Sequence, residues 1–288
     1  MELRQLKYFI KAAELSNFTA ASQALYITQS TLSQQIKTLE DELNTPLFDR
    51  IAKRVRLTEA GRLFLPSAIK TVKYAESGKQ LIKDLDGLLT GSLCIGLTYG
   101  LSNLLLDKLT DFAETYPLLK INITYGTSGE LLDQLKEGDL DFVLSFYNTP
   151  NPLFESTVLF ESHLSLIVHQ DHSLATAKSV DLKQLSDLPM VLPVSQYSIS
   201  EFLNTRLAKM ELSLNVKMEI NDIYSLLQLA ATQKWCTILM NTSLFNFPQL
   251  KAIPLSGKQM VRHATITWST GIYRKKAAVI FAELLNKL

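Results

Sequence analysis

The pattern of apolar and polar positions is most informative between Thr28 and Leu43, where it follows a helical period. Apolar residues recur there at steps of four and three, which predicts a single narrow buried stripe. The stripe consists of Leu32, Ile36, Leu39 and Leu43, and the opposite side carries Ser30, Ser33, Gln34 and Lys37. Thr28 stands where an N-cap is expected, because its hydroxyl can accept a hydrogen bond from a free amide of the first turn.

The polar side of this predicted helix carries hydroxyl and carboxamide groups and almost no charge. Such groups are what a helix needs to read base edges in the major groove of DNA. The alternative is an ordinary solvated helix face that happens to be rich in amides. The neighbouring segments therefore have to decide between the two interpretations.

Two shorter helical patterns precede this segment. Residues 3–13 form an amphipathic pattern that Ser16-Asn17 interrupts, and residues 18–25 form a second one that contains three alanines. Tyr26-Ile27 is left as a tight turn, and Asn44 and Pro46 end the third helix. A helix, a small-residue helix, a turn and a polar-faced helix together predict a helix-turn-helix.

The next segment, LFDRIAKRVRLTEAG, predicts two short strands, Leu47-Phe48 and Val55 to Leu57, around a loop. Such a hairpin would be the wing of a winged helix-turn-helix. Basic residues on it can reach DNA phosphates or a narrow minor groove, namely Arg50, Lys53, Arg54 and Arg56. A solvated cationic loop is the alternative, and the adjacent helix-turn-helix favours DNA contact.

A long helix is predicted from Thr58 onward, with Pro66 bending it. Its apolar and small residues alternate steps of four and three, which is typical of a heptad seam between two paired helices. The seam positions are Phe64, Ala68, Thr71, Ala75, Gly78, Ile82, Leu85 and Leu89. A helix packed on its own domain is the alternative. Dimerisation is favoured because helix-turn-helix proteins usually read paired half-sites.

Beyond Asp86-Gly87 the pattern changes to strands alternating with helices. Strands are predicted at 93–98, 121–125, 140–146, 164–168, 190–193, 216–220, 237–240 and 264–268, and helices at 104–112, 127–135, 198–210, 223–232 and 275–288. The first units form a βαβαβ run, which implies a largely parallel sheet. So many units in about 200 residues suggest two α/β lobes with a cleft between them.

Composition narrows the class of protein. The 288 residues are 47% hydrophobic and 20% charged with a net charge of +1, which fits a globular protein and excludes a polycation. Cys94 and Cys236 are far apart and form no zinc spacing, so a reducing cytoplasm is expected. No run of residues is apolar enough to span a membrane or to serve as a signal peptide.

The stretch FIKAAELSNFTAASQALYITQSTLSQQIKTLEDELNTPLFDR, followed by LTEAG, resembles the N-terminal signature of LysR-type transcriptional regulators. The resemblance is specific across residues 3–65 and looser afterwards, through GSLCIGL, EGDLDFVLSF, HSLA and DLKQLSDLPMV. It implies a multidomain α+β chain: a winged helix-turn-helix at 1–58, a linker and dimerisation helix at 59–90, and an effector domain at 91–288. That domain would resemble periplasmic binding proteins, with lobe I at about 91–161 and 266–288 and lobe II at about 162–265.

The resemblance also implies roles for individual residues in DNA binding. Gln29, Ser30, Ser33 and Gln34 match base-reading positions, Thr31 and Lys37 match backbone contacts beside the Thr28 cap, and Arg50, Lys53 and Arg54 match the wing. Arginine is also common in the family where Gln34 stands, so a shift in the preferred bases is expected. A glutamine can pair with adenine through two hydrogen bonds. The implied target is an interrupted palindrome in double-stranded DNA, bound by a dimer or tetramer that also contacts RNA polymerase.

For the effector, the resemblance implies a site between the lobes. The matching positions are Thr98, Tyr99, Ser102, Thr127, Ser128, Ser195 and Gln196. Hydroxyls beside helix N-termini favour a small anion such as a carboxylate, although ordinary helix caps would look the same. Where relatives carry a glycine-rich turn, this chain has Lys234-Trp235-Cys236. We expect Trp235 and Cys236 to narrow the cleft or to contact the ligand.

Three hypotheses remain. The first is an effector-responsive regulator, in which the ligand changes the relative setting of the lobes and thereby the spacing of the half-sites. The second is a DNA-binding protein whose sensor has lost its ligand, which the Trp235 region favours. The third is an enzyme with a DNA-binding head, which would need a catalytic or metal constellation that the sequence does not show. His169 and His172 do not have diagnostic metal-ligand spacing, so we expect no metal and no cofactor and adopt the first hypothesis.

Overall fold

The computed structural model describes residues 1–51, 54–85, 90–146, 149–257 and 260–286, with only the backbone described at 50, 51, 54, 85 and 107. The chain forms two compact units, Met1–Asp86 and Gly87–Leu288. The finer boundaries at 58 and 90, and those of the two lobes, stay predictions.

The first unit contains the predicted helix-turn-helix and wing. Its elements are α1 (Leu3–Leu15), α2 (Phe18–Ala24), α3 (Gln29–Glu42), β1 (Phe48–Ile51), β2 (Arg54–Leu57) and α4 (Glu59–Leu85). Ser16, Tyr26 and Asn44 adopt positive φ angles of 48°, 56° and 51° where the chain turns between elements. The predicted breaks after the first, second and third helices are therefore confirmed.

An aromatic cluster forms part of the core of this unit. The ring of Phe9 on α1 lies 5.4 Å from that of Phe48 and 5.5 Å from that of Phe64, measured between centroids. Phe64 and Ala68 of α4 belong to this core, and Ala68 is fully buried in it. The N-terminal half of α4 thus packs on its own unit, and the prediction that Phe64 and Ala68 face a second subunit is wrong.

The second unit is an α/β structure. Its strands are β3 (Gly91–Leu97), β4 (Leu119–Tyr125), β5 (Phe142–Ser145), β6 (Phe154–His169), β7 (Met190–Pro193), β8 (Val216–Ile220), β9 (Thr237–Met240), β10 (Leu250–Pro254) and β11 (Val261–Ser269). Its helices are α5 (Ser102–Thr115), α6 (Ser128–Lys136), α7 (Ser198–Lys209), α8 (Ile223–Ala231) and α9 (Lys276–Leu285). The first half of β6 and the whole of β10 were not expected from the sequence.

One strand links two groups of strands in this unit. The N-terminal part of β6 pairs antiparallel with β11, which continues through β5 to the parallel strands β3 and β4. Its C-terminal part, from Leu164 onward, pairs with β9 and β10. The parallel pair β7 and β8 joins this second group through a bridge between Met190 and Cys236. We call the β3 group lobe I and the β9 group lobe II.

Candidate nucleic-acid interface and ligand cleft

The N-terminus of α3 is organised by hydroxyl groups. Thr28 caps the helix by accepting a hydrogen bond from the backbone N–H of Thr31 at 3.1 Å. The same hydroxyl lies 2.9 Å from the Ser30 hydroxyl and 2.8 Å from that of Thr31. These contacts hold the first turn of α3 in one conformation, with its side chains presented together.

The two sides of α3 differ as the sequence predicts. Leu32, Ile36 and Leu39 have no exposed surface, and they fix which side of the helix faces the core. The predicted DNA-reading residues of α3 are exposed except Ser33, which is half-buried: Thr28, Gln29, Ser30, Thr31, Gln34 and Lys37. The outer side therefore presents hydroxyl and amide groups that can both donate and accept hydrogen bonds, together with one cation.

A half-buried carboxylate of α3 contacts the start of the wing. Oε1 of Glu40 accepts the backbone N–H groups of Leu47 at 2.7 Å and of Phe48 at 3.0 Å. β1 and β2 then pair in register from Phe48 opposite Leu57 to Ile51 opposite Arg54. Lys53 lies outside the described residues, and the side chains of Arg50 and Arg54 are not described, so their roles stay predictions.

In the second unit, the carboxyl ends of the strands in the two lobes meet. Tyr99 follows β3 in lobe I and Tyr197 follows β7 in lobe II, and their ring centroids are 6.2 Å apart. Asn103 of α5 donates a hydrogen bond to the carbonyl of Thr242, which follows β9. Ligand sites in α/β proteins lie at the carboxyl ends of strands, so this meeting line is the candidate cleft.

Two of the hydroxyl groups expected on the lobe I side, those of Thr98 and Ser102, have local partners. Thr98 lies 3.5 Å from the carbonyl of Leu144, and Ser102 donates to the carbonyl of Tyr99 at 2.7 Å. Tyr99 also stacks on Tyr125, with 5.1 Å between the ring centroids. The ring of Tyr99 is thus fixed between a second lobe I tyrosine and the facing lobe.

The N-terminus of α6 is already occupied by a carboxylate of the chain itself. Glu130 accepts hydrogen bonds from the N–H of Thr127 at 2.9 Å and from its hydroxyl at 2.8 Å. These bonds lower the pKa of Glu130, so its charge is stabilised there. Thr127 is consequently a cap, and an anionic ligand at this helix end would meet a carboxylate. Ser128 is 8% exposed, and its hydroxyl has no hydrogen-bond partner among the described residues.

The lobe II side is only partly as expected. Ser195 and Gln196 are exposed in the turn between β7 and α7, at the carboxyl end of β7. Trp235 and Cys236 instead precede β9, whose other end, Met240, pairs with Leu164 where β6 enters lobe II. They therefore lie at the amino edge of the strands, and the expectation that they line the cleft is wrong.

Cys236 is an interior residue of lobe II. It is 3% exposed, its Sγ lies 3.9 Å from Nε2 of His172, and burial raises its pKa to about 11. A thiol with a raised pKa carries little thiolate at neutral pH, so this side chain is chemically inert.

A residue that the sequence analysis did not single out lies in the cleft. Arg262 of β11 sits opposite Ser162 of β6, where the paired strands pass between the lobes. Its guanidinium donates to the Ser198 hydroxyl at 3.0 Å and to the carbonyl of Phe146. A charged residue two positions before the predicted strand at 264–268 is the one signal that could have pointed to it.

The described ranges of the chain contain no group of three or more His, Cys, Asp or Glu side chains placed to hold a metal ion. They also contain no helix that is both long and apolar enough to cross a bilayer.

Both units of the chain are similar in sequence to known bacterial regulatory proteins. Residues 3–62 match the model of the bacterial regulatory helix-turn-helix proteins of the lysR family, and residues 86–288 match the LysR substrate binding domain. The chain is 33% identical over 199 residues to the HTH-type transcriptional regulator BudR of Raoultella terrigena, which covers 67% of this chain and 68% of BudR. It is 27% identical to the regulator YybE of Bacillus subtilis, over 98% of this chain and 97% of that protein.

Solved structures share the fold along the whole chain. A variant of full-length OxyR from Pseudomonas aeruginosa has a TM-score of 0.76 at 22% identity, covering 99% of this chain and 94% of that one. Full-length CbnR in complex with its target DNA has a TM-score of 0.71 at 22% identity, covering 100% of this chain and 99% of that one.

Proposed function

Because the chain belongs to the LysR family of DNA-binding transcriptional regulators with an effector-binding domain, and is not an enzyme, we propose how it uses its two units. It binds an interrupted palindrome in double-stranded DNA as a dimer or a dimer of dimers. A small anionic effector binds between the two lobes of the second unit.

The observation that carries the DNA part of this proposal is the outer side of α3. Gln34 is exposed there, on the side opposite the buried Leu32 and Leu39, so its carboxamide is free to enter a groove. Gln29 and Ser30 extend the same surface at the helix N-terminus. A carboxamide that pairs with adenine gives base preference, whereas Lys37 gives affinity through phosphates.

Self-association is supported by the exposed side of α4. Leu63, Tyr74 and Leu81 are 75%, 56% and 37% exposed, and the spacings of eleven and seven residues place all three on one side of the helix. Ile82, at 59% exposure, and Gly78 border this stripe. A long helix that leaves such side chains uncovered is suited to pairing with a second copy, which presents two α3 helices to two half-sites.

Effector binding is supported by the line along which the lobes meet. Polar groups of both lobes lie along it: the hydroxyls of Thr98 and Ser102 follow β3, and the guanidinium of Arg262 contacts the hydroxyl of Ser198. The hypothesis of a sensor that has lost its ligand depended on Trp235, which does not lie in this cleft. A ligand that favours one setting of the lobes would change the separation of the DNA half-sites that the dimer contacts.

The test is a selection of random duplexes by the purified full-length protein, followed by footprinting of the selected site. We expect two half-sites related by a two-fold axis and a protected length that changes when an effector is present. Recovery of unrelated sequences with no half-site symmetry would overturn the DNA part. A footprint that is unchanged by a ligand already shown to bind would overturn the proposed response.

A further inference from the structure

Arg262 is a cation held between the lobes by neutral acceptors. Its guanidinium donates to the carbonyl of Phe146, which follows β5 in lobe I, and to the hydroxyl of Ser198, which begins α7 in lobe II. One side chain therefore contacts both lobes at the point where the paired strands β6 and β11 run from one lobe to the other. Loss of either hydrogen bond would remove a contact that stabilises the present arrangement of the two lobes.

The charge of Arg262 is poorly compensated. Burial lowers its pKa to about 10; Glu201 offsets this at longer range, and Arg206 adds to the lowering. Among the described side chains, no carboxylate oxygen lies within 4 Å of this guanidinium. A buried guanidinium that donates only to a hydroxyl and a carbonyl gains less than one paired with a carboxylate, because charge-assisted bidentate pairs are the stronger ones.

Aromatic rings surround the same guanidinium. Its Cζ lies 5.2 Å from the ring centroid of Phe202 and 5.7 Å from that of Phe146. Phe146 is 5% exposed, and Tyr99 and Tyr197 face each other at the neighbouring strand ends. The side chains next to the guanidinium are therefore largely aromatic, which favours an anion with an apolar body over a bare inorganic ion.

We propose that Arg262 is the group that receives the anionic end of the effector, a small carboxylate with an apolar body, and that the carboxylate displaces the Phe146 carbonyl and the Ser198 hydroxyl from the guanidinium. Binding then exchanges a contact that spans the two lobes for a contact with the ligand. The same event that recognises the ligand thus releases the lobes from one setting. This inference rests on the proposed function, and it names the residue and the ligand class of that site.

The competition between ligand and protein acceptors makes a specific test possible. The full-length protein is titrated with sodium isovalerate and sodium phenylacetate up to 50 mM, at constant ionic strength and pH 7.5, and its melting temperature is followed. Isovaleramide and phenylacetamide serve as neutral isosteres. We expect the carboxylates to raise the melting temperature of the wild type and the amides to leave it unchanged.

Variants assign the effect to the proposed residues. Arg262→Gln should weaken carboxylate binding about tenfold or more, since it removes a bidentate charged donor. Ser198→Ala should strengthen it about threefold, because one protein acceptor that competes with the carboxylate for the guanidinium is gone. Arg206→Gln is the matched control for the removal of a nearby positive charge and should change binding much less than Arg262→Gln. A purely structural role of Arg262 would not give opposite effects in the Ser198 and Arg262 variants.

The outcomes separate this inference from the proposed function. Wild-type protein that shows no carboxylate shift, or an Arg262→Gln variant that keeps the full shift while remaining folded by circular dichroism, overturns the role of Arg262. The DNA selection is run on the same preparations. Symmetric half-sites together with an unaltered Arg262→Gln response would leave the regulator function standing and remove only this inference.

Discussion

Gly61 of α4 lies directly against the backbone carbonyl of Leu47, so that a Cβ at position 61 would overlap the carbonyl oxygen and come within 2.9 Å of a Leu57 methyl carbon. The contact lies where the wing begins and α4 leaves it. The hydroxyl of Thr58 strengthens the same junction by donating to the Pro46 carbonyl at 2.8 Å and accepting the Gly61 N–H at 2.9 Å. The absence of a side chain at Gly61 therefore allows the wing and α4 to pack together.

Gly61→Ala should destabilise the first unit by about 2 kcal/mol, because a backbone carbonyl cannot move aside as a side-chain end can. Gly78→Ala is the control in the same helix, where an added Cβ meets nothing within 4 Å. That change should stabilise by about 0.5–1 kcal/mol through helix propensity. Urea unfolding of both variants, at a concentration where their oligomeric states agree, measures the difference; equal stabilities would contradict the described packing.

Gln34→Ala and Lys37→Ala should affect DNA binding in different ways. Loss of the Gln34 carboxamide should relax preference at one base position by about 1–3 kcal/mol. Loss of Lys37 should weaken binding to all sequences and reduce the slope of log Kobs against log salt by about 0.9 per lost phosphate contact. Titrations of the selected site and of a single-base variant, each at several salt concentrations, check both. Interchanged effects would show that the two residues have each other's roles.

Tyr74→Glu and Leu81→Glu should shift the protein toward monomer, since a charge would be buried in the proposed pairing face of α4. Lys83→Glu is the control, because Lys83 is also exposed and lies on the opposite side of the helix from Tyr74. Sedimentation equilibrium measures the dissociation constant, and we expect an increase of at least about tenfold for the first two variants only. Association that is unaffected by either glutamate would place the self-contact elsewhere.

Lys275→Met should destabilise the second unit in a pH-dependent way. Lys275 donates to Asp141 at 3.1 Å, and Asp141 also accepts the Cys94 N–H at 2.8 Å. Burial raises the pKa of Asp141, while Lys275 opposes that rise. Without the lysine, the folded-state pKa of Asp141 rises further, so stability is lost as the pH increases through that raised pKa.

The loss of unfolding free energy in Lys275→Met should therefore be on the order of 2 kcal/mol at pH 7.5. It should be smaller near pH 4, where Asp141 of the variant is protonated in the folded state and about half protonated in the unfolded state. Adding Asp141→Asn should recover part of it at pH 7.5, since the uncompensated charge is removed. Denaturant unfolding at the two pH values measures both effects. A deficit that does not depend on pH would mean that Lys275 acts through packing and not through charge.

Local patterns predicted the elements that depend on local chemistry. The Thr28 cap, the left-handed residue at Asn44 and the apolar stripe of α3 each follow from interactions within a few residues, and each is confirmed. Most strands of the second unit were also found, and the fully buried ones, β5, β7 and β9, read as continuous apolar runs.

Long-range pairing explains what the sequence did not reveal. The first half of β6 is largely exposed, and it is a strand because Phe154 to His163 pair with β11, about 100 residues later. The cleft assignment of Cys236 failed for the same reason, since the pairing of Met240 with Leu164 shows which end of β9 faces the passage of β6 between the lobes. The position of Arg262 between the lobes could be recognised only from the fold, which brings Phe146 and Ser198 to the same guanidinium.

The crossing between the lobes has a mechanical consequence. β6 passes from one lobe to the other without a break, and at Leu164 its N–H and carbonyl bond to Met260 and Leu255 of the neighbouring segment. A two-stranded ribbon secured in this way resists bending far more than a loop does and deforms mainly by torsion. A ligand that changes the setting of the lobes would accordingly rotate one lobe against the other by a small angle, and the torsional stiffness of the ribbon would limit that angle.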